Sequence, residues 1–294
     1  MWDDQTMNEE LNQPEVTPAD TRTEMLRLSA RGYTQLRHVL VQLPGSEDAD
    51  EPRESTLARV VSARKHRALV LYLLVLACWP WLEKSREPLS AAVWVRALTI
   101  HGGLTWSAST LSREWKGLEE LGLIERVREN RLVRVIPRRE DGSAAYEAPA
   151  GREDRWNAYF VLPDAFWKEE WFARLSLPAL AMLLVVAKET NGKKNEVWLT
   201  YANTETWYGI KEQTARKGLE DLKKHGLLRR RIEKIKAPLS PTGSTVRIWY
   251  SLTGGFGRDA RRAMQKRAAT ERKKRLSDSS TTEPTTSTTD KATS

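Results

Sequence analysis

The stretch Ser109 to Arg126, STLSREWKGLEELGLIER, aligns without a gap on Gln213 to Arg230, QTARKGLEDLKKHGLLRR. Thr110/Thr214, Leu118/Leu222, Gly122/Gly226, Leu123/Leu227 and Arg126/Arg230 are identical pairs. Leu111/Ala215, Trp115/Leu219 and Ile124/Leu228 keep apolar character, and Arg113/Lys217 keep a cation. Stacked repeats need about three or more copies to bury a shared core, so two distant copies point to two homologous domains and away from a solenoid.

The spacing within the repeat says what it folds into. Ala215, Leu219 and Leu222 fall at i, i+4 and i+7, which makes one face of a helix apolar. Gln213, Lys217, Glu220 and Lys224 then lie on the opposite face. Gly226 is placed to take the left-handed conformation that ends a helix. Leu227-Leu228 and a run of arginines follow, which reads as a basic strand. A helix that is apolar inside, polar and basic outside, and followed by a basic hairpin suits the major groove of duplex DNA.

Composition agrees with an anionic partner. The net charge is +9 and the pI about 9.6. Residues 1–60 carry −6, whereas 61–150, 151–255 and 256–294 carry +4, +6 and +5, so the positive excess lies on the repeated unit and the tail. The single cysteine, Cys78, excludes an intrachain disulfide and a multi-cysteine zinc site, and its apolar neighbours make it a core thiol. The acidic start, MWDDQTMNEE, does not read as a signal peptide. Ala68 to Leu82 is apolar throughout but shorter than the roughly 20 residues of a membrane span, so it reads as a buried helix in a cytoplasmic protein that engages no membrane.

At 294 residues the chain has room for two domains and tails. The expected fold class is α+β, mostly helical. Residues 1–22 read as a disordered acidic start and 23–56 as a helix (Met25 to Leu43, broken at Gly32) and a linker, PGSEDADEPRES. The first domain, 57–139, has an apolar helix ending at Pro80 and a second helix, Ala91 to Ile100, capped by Ser90. A third helix is capped by Ser107, and a hairpin of Ile124–Arg128 and Leu132–Ile136 follows. Residues 140–154 read as a linker. The second domain, 155–256, opens with a strand from Asn157 to Leu162 and a short aromatic segment, then a helix with Pro178 in its first turn. A short strand (Val197–Leu199), a helix capped by Thr200, the repeated helix and a hairpin of Leu228–Ile235 and Val246–Leu252 complete it. A basic helical tail, 257–276, precedes a disordered end, 277–294.

Helix, helix, turn, helix, basic hairpin is the order of a winged-helix domain, and both copies resemble that family. In the second copy Gly209-Ile210, Thr214, Leu219, Leu222 and Gly226-Leu227-Leu228 fit the family pattern G-I-x-x-x-T … L-x-x-L-x-x-x-G-L-I. The first copy departs in having Thr105 where Gly is usual, and the second in having Lys211 where a Ser or Thr cap is usual. Tyr159-Phe160-Val161-Leu162-Pro163 followed by Leu175-Ser176-Leu177-Pro178-Ala179 looks like the lead-in to the first winged helix of plasmid and phage replication initiators. Several initiators carry two winged helices, while regulators of the MarR and GntR type usually carry one. The resemblance implies two winged-helix domains with double-stranded DNA as partner.

The residues expected to touch DNA lie early on each repeated helix and on each hairpin. In the first copy they are Ser109, Thr110, Ser112, Arg113, Lys116, Arg128 and Arg131. In the second they are Lys211, Gln213, Thr214, Arg216, Lys217, Arg229, Arg231 and Arg247. Arg113 and Lys217 are placed to reach guanine O6 and N7, and the hairpin arginines, Arg230 among them, to reach phosphate. The plainer reading is a solvated helix face and cross-strand ion pairs, for instance with Glu233. Glu120 and Glu220, further along, limit groove contact to the first half of each helix. Trp94, Trp115, Trp198 and Trp207 fall on apolar phases and read as core.

Catalytic readings find little support. The histidines are His38, His66, His101 and His225, with no His-x-His pair for a nicking enzyme's metal. No G-x-x-x-x-G-K-[ST], HExxH or G-x-S-x-G occurs, and Tyr146 has no visible helpers. No cofactor and no enzyme activity are expected. The sequence therefore reads as a duplex-binding replication initiator, with a homodimeric transcription regulator as the alternative and a protein-binding scaffold behind both. Replication or transcription machinery would be a further partner.

Overall fold

Thr17 accepts a hydrogen bond from the Asp20 amide while Asp20 accepts one from the Thr17 amide, and this capping box starts a helix at Pro18–Ser29 (α1). The computed structural model describes residues 15–45, 54–149, 151 and 154–280. Helix α1 corrects two expectations. The chain is already helical at residue 18, so the disordered start does not reach 22, and its first fourteen residues lie outside the described ones. The helix also stops at Ser29, where Ala30 and Gly32 take left-handed backbone. A strand, Tyr33–Arg37 (β1), and a single 3-10 turn, His38–Leu40, replace the helix expected to run to Leu43. Most of the expected linker after Pro44 (46–53) lies outside the described residues. Thr56–Ser62 (α2), capped by Ser55, was not legible as a helix of its own.

Helix His66–Ser85 (α3) is apolar on every side and is buried from Ala68 to Trp79. Only a helix enclosed by other elements keeps such a surface from water. It is long and apolar enough to cross a membrane by length and composition, yet here it is wrapped by protein, with α1, α2, β1 and the elements that follow packed round it. It does not end at Pro80. Proline removes one helical N–H, but Trp79 and Leu82 on either side are buried, and the helix continues through it. Ala91–Leu98 (α4) follows, with Ser90 at the cap position but making no side-chain cap bond. Ala108–Glu120 (α5) starts at Ser107, whose Oγ accepts the Thr110 amide, as expected. Strands Ile124–Glu129 (β2) and Leu132–Pro137 (β3) pair antiparallel, with Asn130 left-handed in the turn between them.

Strand Tyr159–Pro163 (β4) pairs antiparallel with β1, Tyr33 opposite Pro163 and Arg37 opposite Tyr159. Two single-turn helices, Ala165–Lys168 (α6) and Trp171–Arg174 (α7), bury Phe166, Trp167, Trp171 and Phe172. Leu177–Glu189 (α8), capped by Ser176, is buried from Ala179 to Ala187, on every side as α3 is. Then come Val197–Trp198 (β5), Tyr201–Tyr208 (α9, capped by Thr200), Glu212–Lys224 (α10), Leu228–Lys236 (β6) and Ser244–Leu252 (β7). The last sheet has the order β5-β7-β6. Arg258–Ser280 (α11) ends the described chain; residues 281–294 of the expected disordered end lie outside it. The described chain is α+β, about 51% helix and 18% strand in small sheets.

Residues 15–45 and 54–62 join the two repeated units. Helix α1 packs on α3 and α4, β1 pairs with β4, and α2 packs on α8. The fit at α2 is close: a Cβ added at Gly209 would stand 2.8 Å from the Ala58 Cβ. Three buried arginines hold this arrangement. Arg22 donates to the Ala97 and Thr99 carbonyls and to Glu170 at 2.6 Å. Arg37 donates to Glu140 at 2.8 Å and to the Glu147 carbonyl, over the Tyr146 ring. Arg261 of α11 donates to the carbonyls of Phe256, Ala187 and Thr190. The stretch 140–154 is therefore not a free tether: Glu140 is fully buried and Tyr146 nearly so.

Candidate nucleic-acid interface

The two repeated helices end alike. Gly122 and Gly226 both have φ +72°. Their amides donate to the Glu119 and Lys223 carbonyls, and the Leu123 and Leu227 amides to the Leu118 and Leu222 carbonyls. This paired closure of a helix turns the chain at once into a strand, so each hairpin leaves its helix in the same way. The helices are also phased as expected. Leu111, Trp115 and Leu118 are buried in one, and Ala215, Leu219 and Leu222 in the other. Ser109, Ser112, Arg113 and Lys116 are exposed on α5, and Gln213, Arg216 and Lys217 on α10, with Lys211 exposed just before it.

The side chains sort into free and engaged groups. Arg113 is held by its neighbour Glu114 at 3.0 Å and Arg216 by Glu220 at 3.0 Å, both on the surface. Such exposed pairs are worth about 0–1 kcal/mol and yield readily to phosphate or a base edge. Thr110 and Ser109 are less available than expected, because both hydroxyls lie within 3.0 Å of the capping Ser107 Oγ. Thr214 is half-buried at the start of α10. Lys211 caps no amide with its side chain. Among the described residues Lys116, Lys211 and Lys217 have no ion pair.

Strand alternation sorts the hairpin cations, and here the structure rearranges what was expected. In the first hairpin Arg126 is bound to Glu119 of α5 and Arg134 to Glu129, which leaves Arg128 and Arg131 without ion pairs among the described residues. Arg128 shares its strand face with Arg126, the face that looks toward α5. In the second hairpin the face toward the helices carries Leu228, Arg230, Ile232, Lys234 and Lys236, opposite Leu252, Tyr250, Ile248, Val246 and Ser244. Tyr250 is hydrogen-bonded to Tyr201 of α9. Burial first, and then Tyr201, push its phenol up to about 12. Arg229, Arg231 and Arg247 lie on the other face, turned away from α10. Arg231 is bound there to Glu196 at 2.9 Å, and Arg247 stands over Trp198, 5.2 Å from the ring centroid. Trp198 is half-buried on that outer face and is not part of the core, whereas Trp94 and Trp115 are core and Trp207 packs against it.

Lys234 and Lys236 were missed as candidates. Their signal was the two-residue period counted from buried Leu228, which puts 230, 232, 234 and 236 on the helix side. Glu120 and Glu220 are engaged with Lys65 and Arg216. Tyr146 is buried under Arg37, its phenol pushed up by burial and by Glu140. Burial likewise pushes the Cys78 thiol up. Among the described residues no three His, Cys, Asp or Glu side chains are grouped to hold a metal ion. The chain matches no family model, no curated protein and no solved structure.

Proposed function

We propose that the chain is a sequence-specific duplex DNA-binding protein built on two winged helices, with α5 and α10 as the recognition helices, and that it acts as a replication initiator. The observation that carries this reading is the duplication itself. Two helices with matching Gly-closed ends present cations on one exposed face and run straight into hairpins that add further cations on the same side. Burial of the opposite face explains why the helices exist; it does not explain why the exposed faces of both copies are cationic. In the second unit the order α8-β5-α9-α10-β6-β7, with β5 paired to β7, supports the winged-helix assignment. The first unit follows the same order without the short strand. The reading includes neither catalysis nor a cofactor, and places the protein in the cytoplasm with replication machinery as a further partner.

Selection of bound duplexes from a random library tests it. Arg113→Ala should relax specificity in one half-site, and Lys217→Ala in another, each by about 1–3 kcal/mol. Failure to bind duplex DNA, or binding indifferent to salt, would instead favour a protein-binding scaffold. A homodimeric transcription regulator is the second reading. It is favoured by the open groove of about 500 Å³ in which Met25, Leu28, Trp81 and Val93 stand among Asp20, Glu24 and Arg96, a surface on which two copies could pair. A palindromic selected site, disturbed symmetrically by both substitutions, would decide for it.

A further inference from the structure

The outer face of the β5-β7-β6 sheet has a composition that duplex binding through α10 does not use. Trp198 on β5 and Trp249 on β7 are direct cross-strand partners, so both side chains leave the same face of the sheet. Both are half-buried, and neither belongs to the core. A guanidinium stands over each ring: Arg247 over Trp198 at 5.2 Å, and Arg231 over Trp249 at 5.4 Å. Glu196 holds Arg231 at 2.9 Å, and Glu233 accepts the Trp249 indole N–H. Those carboxylates fix one arginine and one ring in place. Arg247 and Arg229, on the same face, have no carboxylate partner among the described residues.

We propose that this face binds single-stranded nucleic acid, with unpaired bases stacking on the Trp198–Arg247 and Trp249–Arg231 layers and phosphates drawn to Arg229 and Arg247. Bases in a duplex have both faces covered by their neighbours, so a stacking platform is useful only to a strand that is unpaired. Indole and guanidinium planes stack any base, which gives affinity with little sequence preference. The rest of this face carries Arg229, Ser251, Thr245, Glu233 and Ile235, and the cations on it without a carboxylate partner among the described residues, Arg229 and Arg247, suit a phosphate backbone. The inference uses residues separate from those of α5 and α10 and stands independently of duplex recognition.

The test measures binding of the full chain to labelled oligothymidylate, to oligouridylate and to a random duplex. Wild type should bind one or both single strands. Trp198→Leu and Trp249→Leu should each weaken that binding by roughly 5- to 150-fold, the range for losing one stacked base. Trp198→Phe and Trp249→Phe, which keep a ring, should stay within a few-fold, and all four should leave duplex binding unchanged. Should the leucine variants fail to fold by circular dichroism, Arg229→Gln and Arg247→Gln at exposed positions carry the test. Each should flatten the single-strand log K against log[salt] slope by about 0.7. A wild-type chain that binds no single strand overturns the inference. So does single-strand binding indifferent to the leucine or glutamine substitutions. A chain that binds single strands but no duplex upholds it and removes the duplex reading, and the reverse result does the opposite.

Discussion

Asp164 stands where β4 hands the chain to α6, and its backbone amide donates to the Gly32 carbonyl of the N-terminal segment. Burial pushes its carboxyl up to about 6, with Lys168 pulling in the other direction. Below the ordinary value of 3.8 the group is neutral in both the folded and the unfolded chain. As pH rises to about 6 the unfolded chain releases the proton while the folded chain still holds it. Stability should therefore fall across that window, by up to about 3 kcal/mol. Asp164→Asn should remove this part of the slope, seen as a flatter denaturation midpoint against pH between 4 and 7. A glycine pair makes a second comparison. A Cβ at Gly218 would lie 2.2 Å from the Pro178 carbonyl oxygen of α8, whereas at Gly117 it would meet only the Lys65 Nζ at 3.2 Å. Both substitutions gain about 1 kcal/mol of helix propensity. Gly218→Ala should still destabilise by about 1–3 kcal/mol through overpacking. Gly117→Ala should be neutral or slightly stabilising, because a lysine end moves aside. Urea midpoints of the two variants separate these outcomes.

Elements whose signal is local could be read from the chain. Helices α5 and α10 were legible because three apolar positions and a closing glycine lie within one short stretch, and α8 because Ser176, Pro178 and a continuous apolar run coincide. Strand β1 was not, since its partner is β4, more than a hundred residues on, and its own alternation is weak. The role of residues 15–45 and 54–62 was hidden for a related reason: nothing local marks Arg22 and Arg37 as buried, because the carbonyls that receive them come together only in the fold. The candidate interface was half legible. Helix phase places Arg113 and Lys217 outward as expected, whereas the alternation of β6 and β7 puts Arg229, Arg231 and Arg247, expected to reach phosphate, on the sheet face turned away from α10. Helix α11 divides similarly. Arg258 and Arg261 dock, donating to Gly192 and to the carbonyls of α8, whereas Lys266, Arg267, Arg272, Lys273, Lys274 and Arg275 are exposed. Ending the chain after Gln265 should leave stability intact and flatten the duplex salt slope by about 0.9 per lost phosphate contact. Sequence preference should not change. An unchanged slope would make α11 a protein-docking element.

At the scale of the whole molecule, the packing of residues 15–45, 54–62 and 140–149 bears on how α5 and α10 would act together under the proposed function. A linker reading of 140–154 gives each unit its own freedom, and the spacing of half-sites on DNA would then be elastic. Here Arg37 and Glu140 form a buried pair, β1 and β4 share a sheet, and α2 wedges against the turn before α10. Removing either partner of this buried pair should cost about 3–5 kcal/mol, because the other charge is left buried alone. The distance between α5 and α10 is then a property of the fold, and under the proposed function a DNA site should inherit it. The two exposed faces differ, Ser112, Arg113 and Lys116 against Gln213, Arg216 and Lys217, so the site should be directional. Inserting about half a helical turn, roughly 5 base pairs, between the half-sites should prevent both helices from engaging at once. Affinity should drop by roughly 10²–10⁴-fold, the gain that simultaneous engagement supplies. Gel-shift titration of the spaced duplexes checks this, and graded tolerance of every insertion would mean that the two units move apart on DNA.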